Sequence, residues 1–117
     1  MKIKILLLHL IVLLVSGCTT DLGRFTIIST NNVNTANIDY SKHKNIEGES
    51  SYIGFLCLPF GELKPNIHKA TFDALQKSNS DVLVNAQAEA FCEGIVPLIW
   101  KAGIRIKGRG HSAPATR

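Results

Sequence analysis

The N-terminal 18 residues constrain this chain most, because they decide how much of it is left to fold. Residues 1–4 form a short basic start, and the apolar run from Ile5 to Val15 that follows is interrupted only by His9. A basic start, an apolar segment of about a dozen residues and an exit of small residues are typical of a secretory signal peptide. The run is shorter than the ~20 apolar residues that cross a bilayer as a helix. The sequence therefore predicts a signal peptide at residues 1–17.

The end of this segment carries a second signal. Val15-Ser16-Gly17-Cys18 resembles the lipobox of bacterial lipoprotein precursors, in which a branched apolar residue and two small residues precede an invariant cysteine. The resemblance implies cleavage before Cys18 and acylation of Cys18, which attaches such proteins to a membrane. The alternatives are an ordinary signal peptide, or a buried helix that ends in cysteine by chance.

The chain left after cleavage is small and nearly neutral. Removal of the first 17 of 117 residues leaves 100, which is enough for one domain with a single modest core. Lys2 and Lys4 leave with the signal, so 13 basic residues become 11 against nine acidic residues, a net charge of +2. So small a charge argues against nucleic acid as a partner.

Two cysteines, Cys57 and Cys92, remain once Cys18 is acylated. Export delivers them to an oxidising compartment, where a pair can persist as a disulfide. Two buried free thiols fit the sequence equally well. A metal or reactive site is disfavoured, because the chain has no Cys-x-x-Cys and no histidine at ligand spacing from either cysteine.

The first half of the mature chain predicts two strands separated by a long loop. Residues 18–22 are expected to be a lipidated tether, and the folded domain to cover residues 23–108. Gly23–Thr30 is rich in β-branched and aromatic residues and predicts the first strand. Asn31–Asn45 is polar and is expected to be a loop. Ser50–Leu58 is apolar on both alternating faces, which predicts a central or doubly covered strand that Pro59 ends.

Residues 65–78 predict the one helix of the domain. Pro65 suits the first helical position, where its missing N–H needs no partner. Asn79 suits a left-handed cap at the other end. Apolar and small residues recur at helical spacing along one side: Ile67, Thr71, Ala74, Leu75 and Ser78.

The last third of the chain predicts an antiparallel hairpin. Asp81–Glu93 and Leu98–Lys107 both alternate apolar with polar residues. The alanines of the first segment also permit a helix, but the period of two favours a strand. A three-residue loop at Gly94–Val96 places Glu89 opposite Lys101 and Asn85 opposite Arg105, and is preferred because it pairs opposite charges. A five-residue loop, the alternative, places Gln87 opposite Arg105 and Glu89 opposite Gly103.

Together these elements predict an α+β fold, a small antiparallel sheet of about four strands with one helix packed on one face. Ala86 and Ala88 are expected to let the helix approach the sheet, and Trp100 to be a core residue rather than a ligand platform. Residues 109–117 are expected to be a disordered tail. The predicted core consists of Ile67, Ala74, Leu75, Val82, Val84, Ala86, Ala88, Leu98, Trp100, Ile104 and Ile106.

Four short stretches make the chain resemble small bacterial lipoproteins of unknown function over most of its mature length. They are Gly23-Arg24-Phe25-Thr26, Glu47-Gly48-Glu49-Ser50, Asp73-Ala74-Leu75 and Pro97-Leu98-Ile99. The resemblance implies a compact domain with a closing apolar hairpin. It brings no established activity, so Cys18 is the one functional residue that it identifies.

Motifs of known catalytic chemistry are absent from the sequence. There is no glycine-rich phosphate loop, no His-Glu-x-x-His and no Gly-x-Ser-x-Gly. Glu47 and Glu49 share one side of an extended segment, where they either bind a cation or are plainly solvated. Residues 42–44, Lys-His-Lys, are either an anion site or a solvated loop tip. We therefore predict no catalytic residue, no metal site and no cofactor.

These observations predict a non-catalytic lipoprotein of the bacterial envelope, a structural or protein-interaction module. Its expected partners are the membrane, through N-terminal acyl chains, and other envelope proteins. Thr19 follows the cysteine where an aspartate would retain sorted lipoproteins at the inner membrane, so the resemblance implies an outer-membrane location facing the periplasm. A small-molecule or metal-binding module built from residues 31–49 is the alternative, and an enzyme ranks last.

Overall fold

A computed structural model describes residues 1–14, 17–56, 58–61, 64–95 and 98–114 of the chain. In these residues the strands form one antiparallel sheet in the order β1-β4-β5-β2-β3. The α+β class is confirmed, with five strands instead of about four and two α-helices instead of one. The elements are α1 (Lys2–Leu14), β1 (Cys18–Ile28), β2 (Lys44–Phe55), β3 (Leu58–Gly61), α2 (Ile67–Ser78), β4 (Val82–Ile95) and β5 (Ile99–His111), with a 3₁₀ turn at Thr35–Asn37.

The additional strand, β3, follows the point where the sequence predicted a break. Pro59 lies inside β3 and pairs with Gly54 of β2. Proline is tolerated here because β3 is an edge strand, whose outer side needs no ladder hydrogen bonds. At the other end, β2 begins at Lys44, which shortens the predicted loop 31–45.

Helix α1 lies outside the core. Its side chains are exposed from Lys2 to Val12. Among the described residues, no helix is both long and apolar enough to cross a membrane. The sheet and α2 therefore build their core from residues that follow α1.

Strand β1 begins at Cys18, five residues before the predicted start. Cys18 to Asp21 pair with Cys92 to Glu89 of β4, and a bulge follows between Asp21 and Gly23. The predicted tether at residues 18–22 is thus wrong, because these residues belong to the sheet. Thr19 and Thr20 are β-branched and suit an extended conformation.

Helix α2 is defined by an asparagine at each end. The Asn66 side chain accepts a hydrogen bond from the Lys69 amide, so Asn66 is the N-cap and the helix begins after Pro65. Asn79 adopts the left-handed conformation with φ +52° and donates its amide to Gln76 and Leu75 carbonyls. The predicted left-handed cap is confirmed.

The closest approach of α2 to the sheet is at Gly48 of β2. A Cβ on Gly48 would overlap the backbone of Ala70 and Ala74. The prediction placed this approach at Ala86 and Ala88 of β4. Both alanines are fully buried in the same core, but α2 lies chiefly over β2.

A bulge in β4 divides the buried apolar residues into two clusters. The register between β4 and β5 shifts between Val84 and Gln87, and Asn85 lies in the left-handed region at φ +51°. Beneath α2 the cluster contains Ala70, Ala74, Leu75, Leu83, Ala86, Ala88 and Ile106, flanked by Phe25, Ile28, Ile46, Ile67 and Ile104. The second cluster contains Ile38, Val82 and Ala113, flanked by Ile27, Val33 and Val84.

Four predicted core positions are therefore corrected. Val82 and Val84 belong to the second cluster, because the bulge reverses their side chains and turns Leu83 towards α2. Leu98 is 51% exposed. Trp100 is partly buried but packs beyond the helix, where Gly54 leaves room for its indole ring.

The β4–β5 hairpin has the predicted parity but neither predicted register. Glu89 pairs with Arg105 and Glu93 with Lys101, so the polar residues of both strands share one face, as expected. The register differs because β4 continues through Gly94 to Ile95 and β5 starts at Ile99. The turn is thus displaced towards the C-terminus, and Glu89 moves from the predicted Lys101 to Arg105.

The predicted disordered tail at residues 109–117 is wrong as far as the structure describes it. Strand β5 extends to His111, which is only 4% exposed. The Ala113 amide donates a hydrogen bond to Asp81 Oδ2, and Ala113 is buried in the second cluster. This segment is ordered because Ala113 covers Val82, and residues 115–117 lie outside the described residues.

We expect Gly48→Ala to lower the free energy of unfolding by about 1–3 kcal/mol, because the added methyl group would push α2 off β2. Urea denaturation followed by circular dichroism would measure the change. Ser51→Ala, on the opposite face of the same strand, is the matched control and should stay within about 0.5 kcal/mol. Equal stability of the two variants would contradict a closest approach at Gly48.

Candidate functional site

Cys18, the residue that the lipobox resemblance identifies, is exposed at the first position of β1. Its partner across the ladder is Cys92 of β4, which is partly buried. Cys57 lies outside the described residues, so the Cys57–Cys92 disulfide stays a prediction. The structure thus leaves the Cys18 side chain accessible for modification, at the edge of the sheet.

Cys18 belongs to a row of paired residues that crosses the whole sheet. Ladder pairs connect Cys18 to Cys92, Cys92 to Ala102, Ala102 to Tyr52, and Tyr52 to Gly61. Beyond this row the sheet ends in the β2–β3 and β4–β5 hairpins. The Leu56 amide donates a hydrogen bond to the Leu98 carbonyl at 3.1 Å, which joins the two hairpins.

This end of the sheet is strongly apolar and exposed. We call it the apolar tip and define it by eight side chains with exposures of 49–60%. The sequence predicted that Ser50–Leu58 is a central or doubly covered strand and that Leu98 is a core residue. The signal that could have revealed the tip is the lack of any charged residue in 53–61 and 94–100. The tip consists of Ile53, Phe55, Leu56, Leu58, Phe60, Ile95, Leu98 and Ile99.

Two aromatic residues lie next to the apolar tip, Tyr52 at its boundary with the rest of the sheet and Trp100 opposite Gly54. The rings of Trp100 and Tyr52 meet edge to face, with centroids 5.4 Å apart. The indole of Trp100 also lies against Gly54, where a Cβ would overlap the ring. Their amphipathic rings suit a boundary between apolar and polar surroundings.

The sheet face opposite α2 carries a charged network centred on Arg105 of β5. The Arg105 side chain is 14% exposed. Its guanidinium contacts carboxylates on both neighbouring strands: Glu47 at 3.1 Å, Glu49 at 3.5 Å, Glu89 at 3.7 Å and Glu93 at 2.8 Å. Lys101 pairs with Glu49, and Lys107 lies 3.0 Å from Glu89.

The ring of Phe91 packs against two cations of this network. The Arg105 guanidinium carbon lies 4.1 Å from the ring centroid of buried Phe91, and Lys101 Nζ lies 5.7 Å from it. Both cations therefore gain a cation–π contact. Arg105 Nε is buried and has no hydrogen-bond partner among the described residues, although Glu47 Oε1 lies 3.1 Å away.

The carboxylates of the network are engaged by protein cations. Glu47 and Glu49, which the sequence proposed as a cation-binding pair, both contact Arg105. The hydrogen bond from Arg105 lowers the pKa of Glu93, and the same bond raises the pKa of Arg105. The structure thus favours a stabilising role for Glu47 and Glu49 over binding of a free cation.

Residues 42–44 lie at the opposite end of the sheet, beside the C-terminus of α2. They line a depression together with Ser78, Asn79 and Ser80. The negative end of the helix dipole points here, which disfavours an anion. His43 instead packs against buried His111, with ring centroids 5.9 Å apart. The described part of the chain contains no cluster of three or more His, Cys, Asp or Glu residues that could hold a metal ion.

We expect Arg105→Met to lower the free energy of unfolding by at least about 1.5 kcal/mol, because it would leave four neighbouring carboxylates without their shared cation. Chemical denaturation would measure the loss. Arg24→Met is the matched control, since Arg24 is exposed on edge strand β1. A loss no larger than that of Arg24→Met would show that the network contributes little.

The free energy of unfolding should fall on acidification. The lowered pKa of Glu93 means that the folded state favours the carboxylate, so its contribution is present above the unfolded pKa of ~4.3 and is lost as the pH falls through the folded pKa. Arg105→Met should weaken this acid dependence in urea titrations between pH 3 and 6. A side-chain hydrogen bond from Ser41 lowers the pKa of Asp39. The contribution of Asp39 to the acid dependence should therefore be the same in both proteins. Identical acid dependence in both proteins would contradict the assignment to Arg105.

No protein-family model, no curated protein and no solved structure matches this chain.

Proposed function

We propose that this protein is a membrane-anchored lipoprotein of the bacterial envelope, a non-catalytic module with a structural or protein-interaction role. The observation that carries the proposal is the position of Cys18, exposed at the first residue of β1. Cleavage before Cys18 would remove α1, whose side chains are exposed from Lys2 to Val12, and would leave every strand intact. The signal peptide and the fold thus meet at the residue that would carry the lipid.

Acylation at Cys18 would provide a durable anchor. A single myristoyl chain gives only marginal binding, with ~0.8 kcal/mol gained per buried CH₂. The lipobox resemblance implies three acyl chains, which exceed that by a wide margin. Thr19 at the following position supports an outer-membrane location facing the periplasm, by the same resemblance.

The charged network supports a structural role for the open face of the sheet. Arg105 on β5 contacts carboxylates on β2 and β4, so the ion pairs connect three strands. Cations and carboxylates there neutralise one another and keep an uncovered sheet face hydrophilic. Such a surface keeps the open face exposed to water and available to other envelope proteins.

We expect Cys18→Ser to abolish acylation, because serine lacks the thiol that receives the lipid. The full-length variant should remain uncleaved or become soluble. Membrane fractionation combined with mass spectrometry of the N-terminus would distinguish the forms. Cys92→Ser is the matched control, since it alters the cross-strand neighbour of Cys18 and should still be cleaved and acylated. A processed, acylated Cys18→Ser protein in the membrane fraction would refute the proposal.

A further inference from the structure

We propose that the apolar tip inserts into the lipid surface to which Cys18 is attached, so that the domain is held by its hairpins as well as by its acyl chains. This inference rests on the proposed function and adds a second, non-covalent membrane contact. It also fixes the orientation of the sheet, with the strands rising from the membrane and the β2–β3 and β4–β5 hairpins lowest.

The distribution of exposed apolar side chains favours this contact. After Cys18, the described residues include eleven large apolar side chains that are exposed, and eight of them form the tip. The other three, Leu22, Tyr40 and Phe72, lie on β1, in the following loop and on α2. A contiguous exposed apolar patch of this kind marks a contact with another protein or a membrane.

The position of Cys18 favours lipid over protein as the occupant. Cys18 lies on the same end of the sheet as the tip, and β1 starts there without a tether. The outermost ladder pair, Ile95 with Ile99, lies three residues beyond the level of Cys92. At ~3.3 Å per residue the tip extends about 10 Å past the lipidated residue. Amphipathic segments that lie at a bilayer surface insert by about 5–10 Å, so the depth matches.

The residues bordering the tip suit the membrane interface. Tyr52 lies where the apolar side chains end, and Trp100 lies two residues further into the tip, opposite Gly54. These two residue types are enriched at the boundary between lipid and water. On the open face the charges resume with Glu93 and Lys101, which are paired across the hairpin. The tip itself contains no charged residue among its described positions.

Trp100 is the single tryptophan of the chain and therefore reports directly on the tip. The acylated mature protein, reconstituted in vesicles of phosphatidylethanolamine and phosphatidylglycerol, should show blue-shifted Trp100 emission. Lipids brominated near the headgroup end of the acyl chain should quench this emission by at least twofold. Blue-shifted emission without quenching would mean that protein, either a second copy or the domain itself, shields Trp100 in place of lipid. Emission unshifted from that of the unlipidated domain in solution would mean that the tip stays in water. Either result overturns the inference.

Substitutions in the apolar tip distinguish its insertion into lipid from the attachment of the protein by its acyl chains. Leu98→Asp should abolish most of the quenching while the acylated protein still sediments with the vesicles. Phe55→Asp, on the other hairpin, should have the same effect, and circular dichroism would establish that each variant is folded. Phe72→Asp is the matched control, because Phe72 is equally exposed but lies on α2; it should leave quenching unchanged. Quenching that survives both tip substitutions would refute insertion, whereas loss of acylation at Cys18 would refute the proposed function instead.

Discussion

The Arg105 guanidinium connects three strands on the face of the sheet that no described helix covers. Its partners lie on β2 and β4, on either side of β5. One face of the sheet can bury apolar side chains under α2, but the other must be stable in water without a layer on top. Charged side chains that pair across strands meet this requirement, and Phe91 beneath them adds apolar contact. The register of the central strands and the ion pairs therefore support each other.

Local sequence patterns predicted the elements better than the way they pair. The period of two in β4 and β5 and the left-handed cap at Asn79 were sufficient to identify the strands and the helix end. The bulge at Asn85 was not predictable, because asparagine tolerates a positive φ but its place inside an unbroken alternation of apolar and polar residues does not require one. The hairpin register was wrong for a related reason: a single charge pair was weighed, whereas Arg105 reaches four carboxylates at once.

The exposure of the apolar tip follows from the side of the sheet that α2 covers and from the length of α2. Helix α2 has 12 residues and spans ~18 Å, whereas β2, also of 12 residues, spans ~40 Å. The helix is centred over Gly48, so it does not reach the hairpin end of β2 on its own side of the sheet. Ile53 and Phe55 lie on the other side, paired with Lys101 and Ile99. A strand that is apolar on both faces usually lies between two layers, which is why Ser50–Leu58 was predicted to be covered. Sequence identified Cys18 and the apolar runs, but only the fold brings them to one end.

The absence of a tether has a mechanical consequence for a lipid-anchored domain. A flexible linker after the acylated cysteine would let the domain rotate freely, and no orientation would persist. Here Cys18 is paired into the sheet opposite Cys92, so acyl chains on Cys18 together with an inserted tip would restrict the angle of the strands to the bilayer. On the proposed anchoring, the far end of the sheet, with Lys44 and His111, points away from the lipid. In that orientation the charged face around Arg105 would stand roughly along the membrane normal and would stay accessible from the side.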